Sequence, residues 1–419
     1  MQTYQRMKNS GVEWLGNIPA DWRQKPAKYL FKQVKESVGD DPSEYELLSL
    51  TLRGIIPRSE VEGGKNPDNY SAYQVVNSGD LIMCLFDYDV TPRTVGRATT
   101  TGMVTGAYTN LRPSKGVSTR YYNYFFLALD NTKELLHLCT GLRNGLSKTT
   151  FFALNLPFPD YETQERIANY LDEETAKIDF LIAKQKRLLG LLEEKRRAAL
   201  THSVVLGIDS SVDFKETSAH WLGKVPEHWN ILKMGYAYRR KSDKNHPDEE
   251  LLSVYRDYGV IPKSSRDDNH NVESADLTNY QMVEPNDLVT NKMKTWQGSI
   301  AISTVQGIVS PAYFTFKPIV TGMLPQFMHY QLRSDRHVAF YKSISKGIRP
   351  GQWDLDIDQF KMMPLVLPPV EEQKRIVNHI QENEKKTKAI KEHVDKEIAL
   401  LVERRSALIS NVVTGKVKV

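Results

Sequence analysis

From Ile376 to Leu408, the residues Ile376, Ile380, Asn383, Thr387, Ile390, Val394, Glu397, Leu401, Arg404 and Leu408 step by four and three without a break. That spacing keeps one stripe of a helix turned toward one partner, so it predicts a heptad seam, imperfectly apolar. Ile167, Leu171, Glu174, Ile178, Leu181, Gln185, Leu188 and Leu192 follow the same register, with Ile182 and Leu189 broadening the stripe. Proline is missing from 161–205 and from 370–413, and only Gly190 interrupts. Two helices of ~60 Å are implied for about 40 residues each at 1.5 Å rise. The polar seam positions are either partly solvated or register-setting. A dense charged flank (Lys184, Lys186, Arg187, Glu193, Glu194, Lys195, Arg196) is either a solvated face or the dock for a further helix-rich partner. Ahead of each helical stretch the pattern changes to short β-branched and aromatic runs, such as 80–86 and 313–316, separated by Gly, Pro and Asn. That predicts a compact α+β domain.

The chain is written twice. Trp14-Leu15-Gly16, Pro19 and Trp22 return as Trp221-Leu222-Gly223, Pro226 and Trp229 with every interval kept. The order continues: Glu46-Leu47-Leu48-Ser49 recurs as Glu250-Leu251-Leu252-Ser253, Gly54-Ile55-Ile56-Pro57 as Gly259-Val260-Ile261-Pro262, and Gly79-Asp80-Leu81 as Asn286-Asp287-Leu288. Gly141-Leu142-Arg143 is matched by Gly347-Ile348-Arg349, and each half closes with Gln-x-Arg-Ile, at Gln164 and at Gln373. The helical stretches also end alike, in Val204-Val205-Leu206-Gly207 and Val412-Val413-Thr414-Gly415. A repeat of this length means two copies of one supersecondary unit. The chain must leave one helix, build a domain and enter the next helix, so an antiparallel helix pair with a domain at each end is expected, approximating an internal two-fold axis. The divisions expected are 1–155 and 208–363 for the domains, and 156–207 and 364–419 for the helical spacers.

At 419 residues, with 40% apolar and 10% aromatic side chains, there is material for two or more cores. Fifty-six Lys and Arg against 51 Asp and Glu give a pI near 8.8, which permits a polyanionic partner without requiring one. Cys84 and Cys139 match no zinc spacing and read as reduced core thiols. The opening MQTYQRMKNS lacks an apolar signal region and the apolar run at 121–129 is too short to span a bilayer, so a cytoplasmic location is expected.

Catalytic signatures are missing. No Gly-x-Gly spacing offers a dinucleotide or adenosylmethionine turn, and 141–148 lacks the Gly-Lys-Ser/Thr of a phosphate loop. Asn155-Leu156-Pro157-Phe158 only superficially matches an adenine methyltransferase motif and reads as a connector. The histidines form no metal-binding pair, and no two-metal acidic cluster is recognisable. What remains is a set of polar and basic residues beside turn residues, in corresponding places of the two halves. In the first half these are Arg53 and Arg58, then Tyr88, Arg93 and Arg97, then Arg143, Asn144 and Lys148. In the second they are Arg256 and Lys263, then Lys292, Lys294, Trp296 and Gln297, then Arg349 and Gln352. Arg reads guanine bidentately, Asn and Gln read adenine, and Lys neutralises phosphate, so the mixture suits DNA base readout with positioning. Trp14, Trp22, Trp221 and Trp229 are expected in the core. The comparison sets Phe86-Asp87-Tyr88-Asp89 against Lys292-Met293-Lys294-Thr295, so two heads of one fold should prefer unlike sequences.

The order of parts, with Trp-Leu-Gly-x-x-Pro-x-x-Trp at each opening, Gln-x-Arg-Ile at each helix start and the Gly-x-Arg loops, resembles the specificity subunit of type I restriction-modification systems across essentially the whole chain. The resemblance implies a non-catalytic subunit in which one target recognition domain reads each half of a split, asymmetric DNA site. The helices would set the number of unspecified base pairs and dock two modification subunits. It also implies that no cofactor is held by this chain: adenosylmethionine for adenine-N6 methylation, and ATP and Mg for translocation and cleavage, would belong to modification and restriction subunits. A related system with a fused modification-restriction partner, or a coiled-coil scaffold without DNA readout, are the alternatives.

Overall fold

A computed structural model describes residues 3–39, 42–61, 63, 69–256, 258–266, 274–349 and 351–419; the side chains of residues 348, 349 and 352 are outside the description. The chain divides into two compact units, one made of Met1–Lys186 with Asp395–Val419, the other of Arg187–Val394. Both boundaries fall inside long helices, Tyr161–Leu206 and Val370–Val413. Each unit therefore joins one α+β domain to a segment of each helix.

The two domains repeat one sheet. In the first unit, four antiparallel strands lie in the order Phe31–Val34, Thr109–Pro113, Leu81–Met83, Val95–Arg97. In the second, Tyr238–Lys241, Tyr313–Pro318, Leu288–Asn291 and Ile300–Ile302 follow the same order. The turn before the central strand explains the matched Gly79-Asp80 and Asn286-Asp287. Gly79 and Asn286 share a left-handed backbone, φ 94° and 75°, which glycine and asparagine accept most readily. The aspartates that follow are buried and accept backbone N–H bonds from Asn77 (3.0 Å) and Glu284 (2.9 Å). Trp22 and Trp229 are buried as expected, and Trp14 and Trp221 pack against Phe125 and Phe340.

Each domain is fastened to helix at two places. The first fastening is the glutamine of Gln-x-Arg-Ile. Gln164 is fully buried; its Oε1 accepts from Ser118 N (2.8 Å), and its Nε2 donates to the carbonyls of Pro159 (2.8 Å) and Gly116 (3.3 Å). Gln373 does the same with Leu324 N, Pro368 O and Gly322 O, each at 2.8 Å. The second fastening is a helix end driven into the core. Val412 and Val413 enter the first domain's core, and Val204 and Val205 the second's. The glycine after each valine pair, Gly415 and Gly207, is left-handed (φ 72° and 80°) and lies against the indole of Trp22 and of Trp229. A Cβ at Gly415 would meet Pro19 at 2.4 Å, which explains glycine there.

Within each unit the two helix segments run antiparallel. In the first, Arg405 donates to Asp179 (2.9 and 3.1 Å), and Gln185 Nε2 to Glu397 Oε2 (2.7 Å), so two polar seam positions satisfy each other. In the second, Lys391 pairs with Glu193 and Arg196 with Glu384 (3.3 Å). The seam is dry at Ile167, Leu171 and Ile178 of one helix and at Ile376, Ile380 and Val394 of the other. Phe180, Leu181, Leu400 and Val402 of the first unit, and Leu188, Leu191 and Ile390 of the second, stay exposed.

Two predictions concern this frame. Gln373→Leu removes all three of the glutamine's hydrogen bonds to backbone, so it is expected to destabilise the second unit by about 3 kcal/mol, read as lost hydrogen-exchange protection around Leu324 and the helix start with the first unit's protection unchanged. His337 is fully buried beside Trp221, its Nδ1 2.9 Å from Ser334 Oγ, and burial followed by nearby Arg336 lowers its pKa to about 3. The folded state refuses a proton that the unfolded chain accepts below its ordinary pKa of about 6.5. This stability is present above about pH 6.5 and is lost as pH falls toward 3, by about 1.4 kcal/mol per pH unit. Thermal midpoints against pH should show that slope in the wild type and a flatter one in His337→Gln.

Candidate nucleic-acid interface

The central strand of each sheet runs out into a loop, and each loop is tied to a second one by the same backbone bond. In the first unit Leu146 N donates to Leu85 O (2.8 Å), and Asp87 N and Tyr88 N continue the tie to Arg143 O (2.7 Å) and Asn144 O (3.2 Å). In the second, Leu355 N donates to Lys292 O (3.0 Å), which brings the hairpin of Ser345–Arg349 and Gln352–Leu355 against the 292–299 loop. Strand pairing thus sets Lys292 level with Leu85 and Lys294 level with Asp87, one position from the alignment that the sequence suggests. The ladder keeps the interval at which Gly79-Asp80-Leu81 and Asn286-Asp287-Leu288 match.

In the first loop pair Arg143 is 70% exposed, ion-paired to Asp87 and set over the Phe86 ring at 5.1 Å. Asp87 engages Nε and Nη2 and leaves Nη1 outward, so it orients the guanidinium without covering it. That pairing holds the Asp87 carboxyl below its usual range. Asp87 and Asn144 both have positive φ, 48° and 39°, as these two side chains tolerate. Lys148, exposed, begins the short helix Lys148–Ala153 next to them. In the second loop pair Trp296 stacks on Trp353 with centroids 4.5 Å apart and donates Nε1 to Met293 O (3.0 Å). Gln297 Oε1 accepts from Arg256 Nη2 (2.7 Å), and Lys294 is exposed beside them. The backbones of Arg349 and Gln352 face each other at the hairpin tip, while their side chains lie outside the described residues.

Not every expected residue joins these loops. Arg53, at the tip of the hairpin Leu48–Thr51/Gly54–Pro57, and Arg97 line a cleft of about 270 Å3 with Arg120 and Arg405. In the second unit Arg256 and Gln297 line a larger groove of about 1000 Å3 with Arg196, Arg333 and Lys391. Arg58 turns inward on its own turn and donates to Val61 O (3.2 Å) and Gly63 O. Lys263 holds the corresponding turn, its N–H on Leu251 O (2.8 Å). Among the described residues no group of His, Cys, Asp and Glu could hold a metal ion, and no helix is long and apolar enough to cross a membrane.

Solved structures give the same architecture. Over 96% of this chain and 99% of theirs, a chain of a type I R-M system solved for its assembly and conformational transition superposes with a TM-score of 0.65 at 12% identity. The HsdS subunit of Thermoanaerobacter tengcongensis matches 98% of this chain and all of its own, with a TM-score of 0.51 at 14% identity. The chain has the fold of a type I specificity subunit. Sequence relatives agree: a protein of Methanocaldococcus jannaschii carrying the name MjaX specificity subunit of a type I restriction enzyme is 23% identical over 239 residues, and the StySPI specificity subunit of Salmonella potsdam 21% over 295. These alignments cover 53% and 65% of this chain, and span 53% and 60% of the relatives' own lengths. No family model matches.

In this specificity-subunit fold two of the expected contact residues belong to the interior. Tyr88 is 1% exposed with Lys133 Nζ 5.2 Å from its ring centroid, so its ring cannot reach a duplex. Arg93 is mostly covered and pairs with buried Asp130 (3.0 Å), which also accepts from Thr94 N, Thr94 Oγ1 and Lys133 Nζ. Both sit in a polar loop, and nothing local in the sequence marks a loop tyrosine as core. Arg120, Arg240, Lys244, Arg333 and Arg405 are the basic residues that sequence reading passed over. They lie on or just beyond strands and helices, where a charge ordinarily reads as a solvated face. Arg93→Ala is expected to cost about 2 kcal/mol by leaving Asp130 short of a donor, which a thermal melt checks.

Proposed function

We propose that this chain is the DNA-reading subunit of a type I restriction-modification complex, with the loop pair of each unit addressing one half of a bipartite, asymmetric site. The observation that carries the reading is the repeated frame with unlike tips. One backbone tie on one sheet topology presents Phe86, Asp87 and Arg143 in the first unit, and Lys294, Trp296 and Trp353 in the second. Arg143, oriented and exposed, suits the N7 and O6 of a guanine, and Lys148 a neighbouring phosphate. The long helices that link the two recognition domains set the unspecified spacer. Their exposed apolar residues dock two modification subunits, which hold adenosylmethionine and methylate adenine, and restriction subunits hold ATP and Mg. This chain supplies address rather than chemistry, and it acts in the cytoplasm.

Footprinting of the reconstituted complex tests the reading, with two protected segments expected; protection that is independent of sequence would refute it. Arg143→Ala should cost about 1–3 kcal/mol and relax base preference in one half-site only, and Lys294→Ala should weaken the complex without changing preference in the first half-site. Deleting one heptad, about 10 Å, from both helices should alter the tolerated spacer and leave both half-site preferences intact. An unaltered spacer would contradict the ruler role.

A further inference from the structure

The edge strand Tyr238–Lys241 and the strand Tyr313–Pro318 beside it frame a small cleft of about 170 Å3 in the second unit. Arg240 and Lys292 both stand over the Phe314 ring, 4.6 and 5.0 Å from its centroid, and Lys244 lines the same cleft. Lys292 Nζ donates to Pro311 O at 2.5 Å, which fixes its position without neutralising it. Among the described residues no carboxylate ion-pairs with Arg240, Lys244 or Lys292. Lys241 also lines the cleft, but Glu284 (2.7 Å) and Asp287 (3.3 Å) take its amine. Burial first, then the charge of Arg240, keeps the Lys292 amine below the usual lysine range, with exposed Asp354 opposing. Two cations thus stand over one ring and a third lines the same cleft, with no carboxylate among the described residues ion-paired to any of them.

The first unit lacks this cluster. Strand pairing aligns Gln33 with Arg240, Leu85 with Lys292 and Thr109 with Phe314. Equivalent backbone bonds, Val75 N to Glu36 O and Met282 N to Asp243 O, align Ser37 with Lys244. All three charges and the ring are absent there while the frame is kept, so folding does not demand them. We propose that this cleft clamps one phosphodiester of the DNA strand bound by the second unit, a contact that the first unit does not make. The clamp rests on the DNA-reading function above.

The test replaces the cluster by the first unit's own residues, Arg240→Gln, Lys244→Ser and Lys292→Leu, in the reconstituted complex. One lost phosphate contact removes about 0.9 from the slope of log affinity against log salt, so between 50 and 200 mM salt the wild type should lose about threefold more affinity than the variant. Base preference in both half-sites should stay unchanged. DNA carrying one neutral methylphosphonate at the clamped position should bind the wild type about as weakly as the variant binds native DNA, and combining the two changes should add nothing. Arg240→Gln with Lys244→Ser, which keeps Lys292 on Pro311, should show the same direction at an unchanged thermal midpoint. A wild-type salt slope in both variants, or a changed base preference, overturns the clamp while specific binding by the wild type stands. Absence of specific binding by the wild type would instead refute the DNA-reading function itself.

Discussion

The buried glutamine at the start of each long helix is the constraint on which the rest depends. An amide side chain buried in a core costs several kcal/mol unless its donors and acceptor are all used, and Gln164 and Gln373 use them fully. Their partners are backbone atoms on the domain side, so the amide turns a loop and a helix start into one rigid corner. The opposite helix end adds an apolar plug: Val412 and Val413 in the first unit, Val204 and Val205 in the second, each followed by a left-handed glycine under an indole. In the second unit Glu372 strengthens the corner further, accepting from Trp229 Nε1 at 3.1 Å with His228 Nε2 2.8 Å from its other oxygen. A domain gripped by the start of one helix and the end of another has little freedom to rock on either.

That rigidity decides what the loops can do. A guanidinium on a mobile loop loses conformational entropy on reaching a base edge, whereas Arg143 is already held by Asp87 over Phe86. The second unit reaches rigidity by another route, stacking Trp296 on Trp353 and bonding Arg256 to Gln297. Both solutions present a planar polar or aromatic group supported from below, and they differ in charge. Asp87 offsets Arg143 in the first unit, while the corresponding Lys294 in the second is exposed and has no carboxylate partner among the described residues. The two loop pairs therefore differ in the charge they present.

Much of the frame was legible in the sequence because its determinants are local or repeated. The Trp-Leu-Gly modules, the Gln-x-Arg-Ile starts, the Gly79 and Asn286 turns and the two helices all follow from interval, period and turn chemistry. The loop contents were less legible, for definite reasons. Tyr88 reads as an exposed loop aromatic, yet the backbone tie to Asn144 folds it inward, and that partner is distant in sequence. Arg93 reads as a free cation because Asp130 lies on a helix far along the chain. Arg240 and Lys244 carry no local signal in the sequence, because Lys292 and Phe314 reach them from a loop and a strand farther along the chain. The one-residue slip between 85 and 292 is of another kind, since the match of Gly79-Asp80-Leu81 to Asn286-Asp287-Leu288, carried on without a gap, already holds the register that the ladder shows.

The tie that organises each loop pair is made between backbone atoms, Leu146 N to Leu85 O and Leu355 N to Lys292 O. A backbone bond asks nothing of the side chains that flank it, apart from excluding proline at the donor. Leu85 and Lys292, an apolar residue and a cation, occupy the same place in it without altering the sheet behind. The glutamine corners and valine plugs, in contrast, are specified by side chains and are the same in both units. The fold thus separates its requirements physically: identity is demanded where helix meets domain, and freedom is left where domain meets ligand. Two halves can then share a frame built from one set of residues and carry tips as unlike as Phe86-Asp87 and Met293-Lys294.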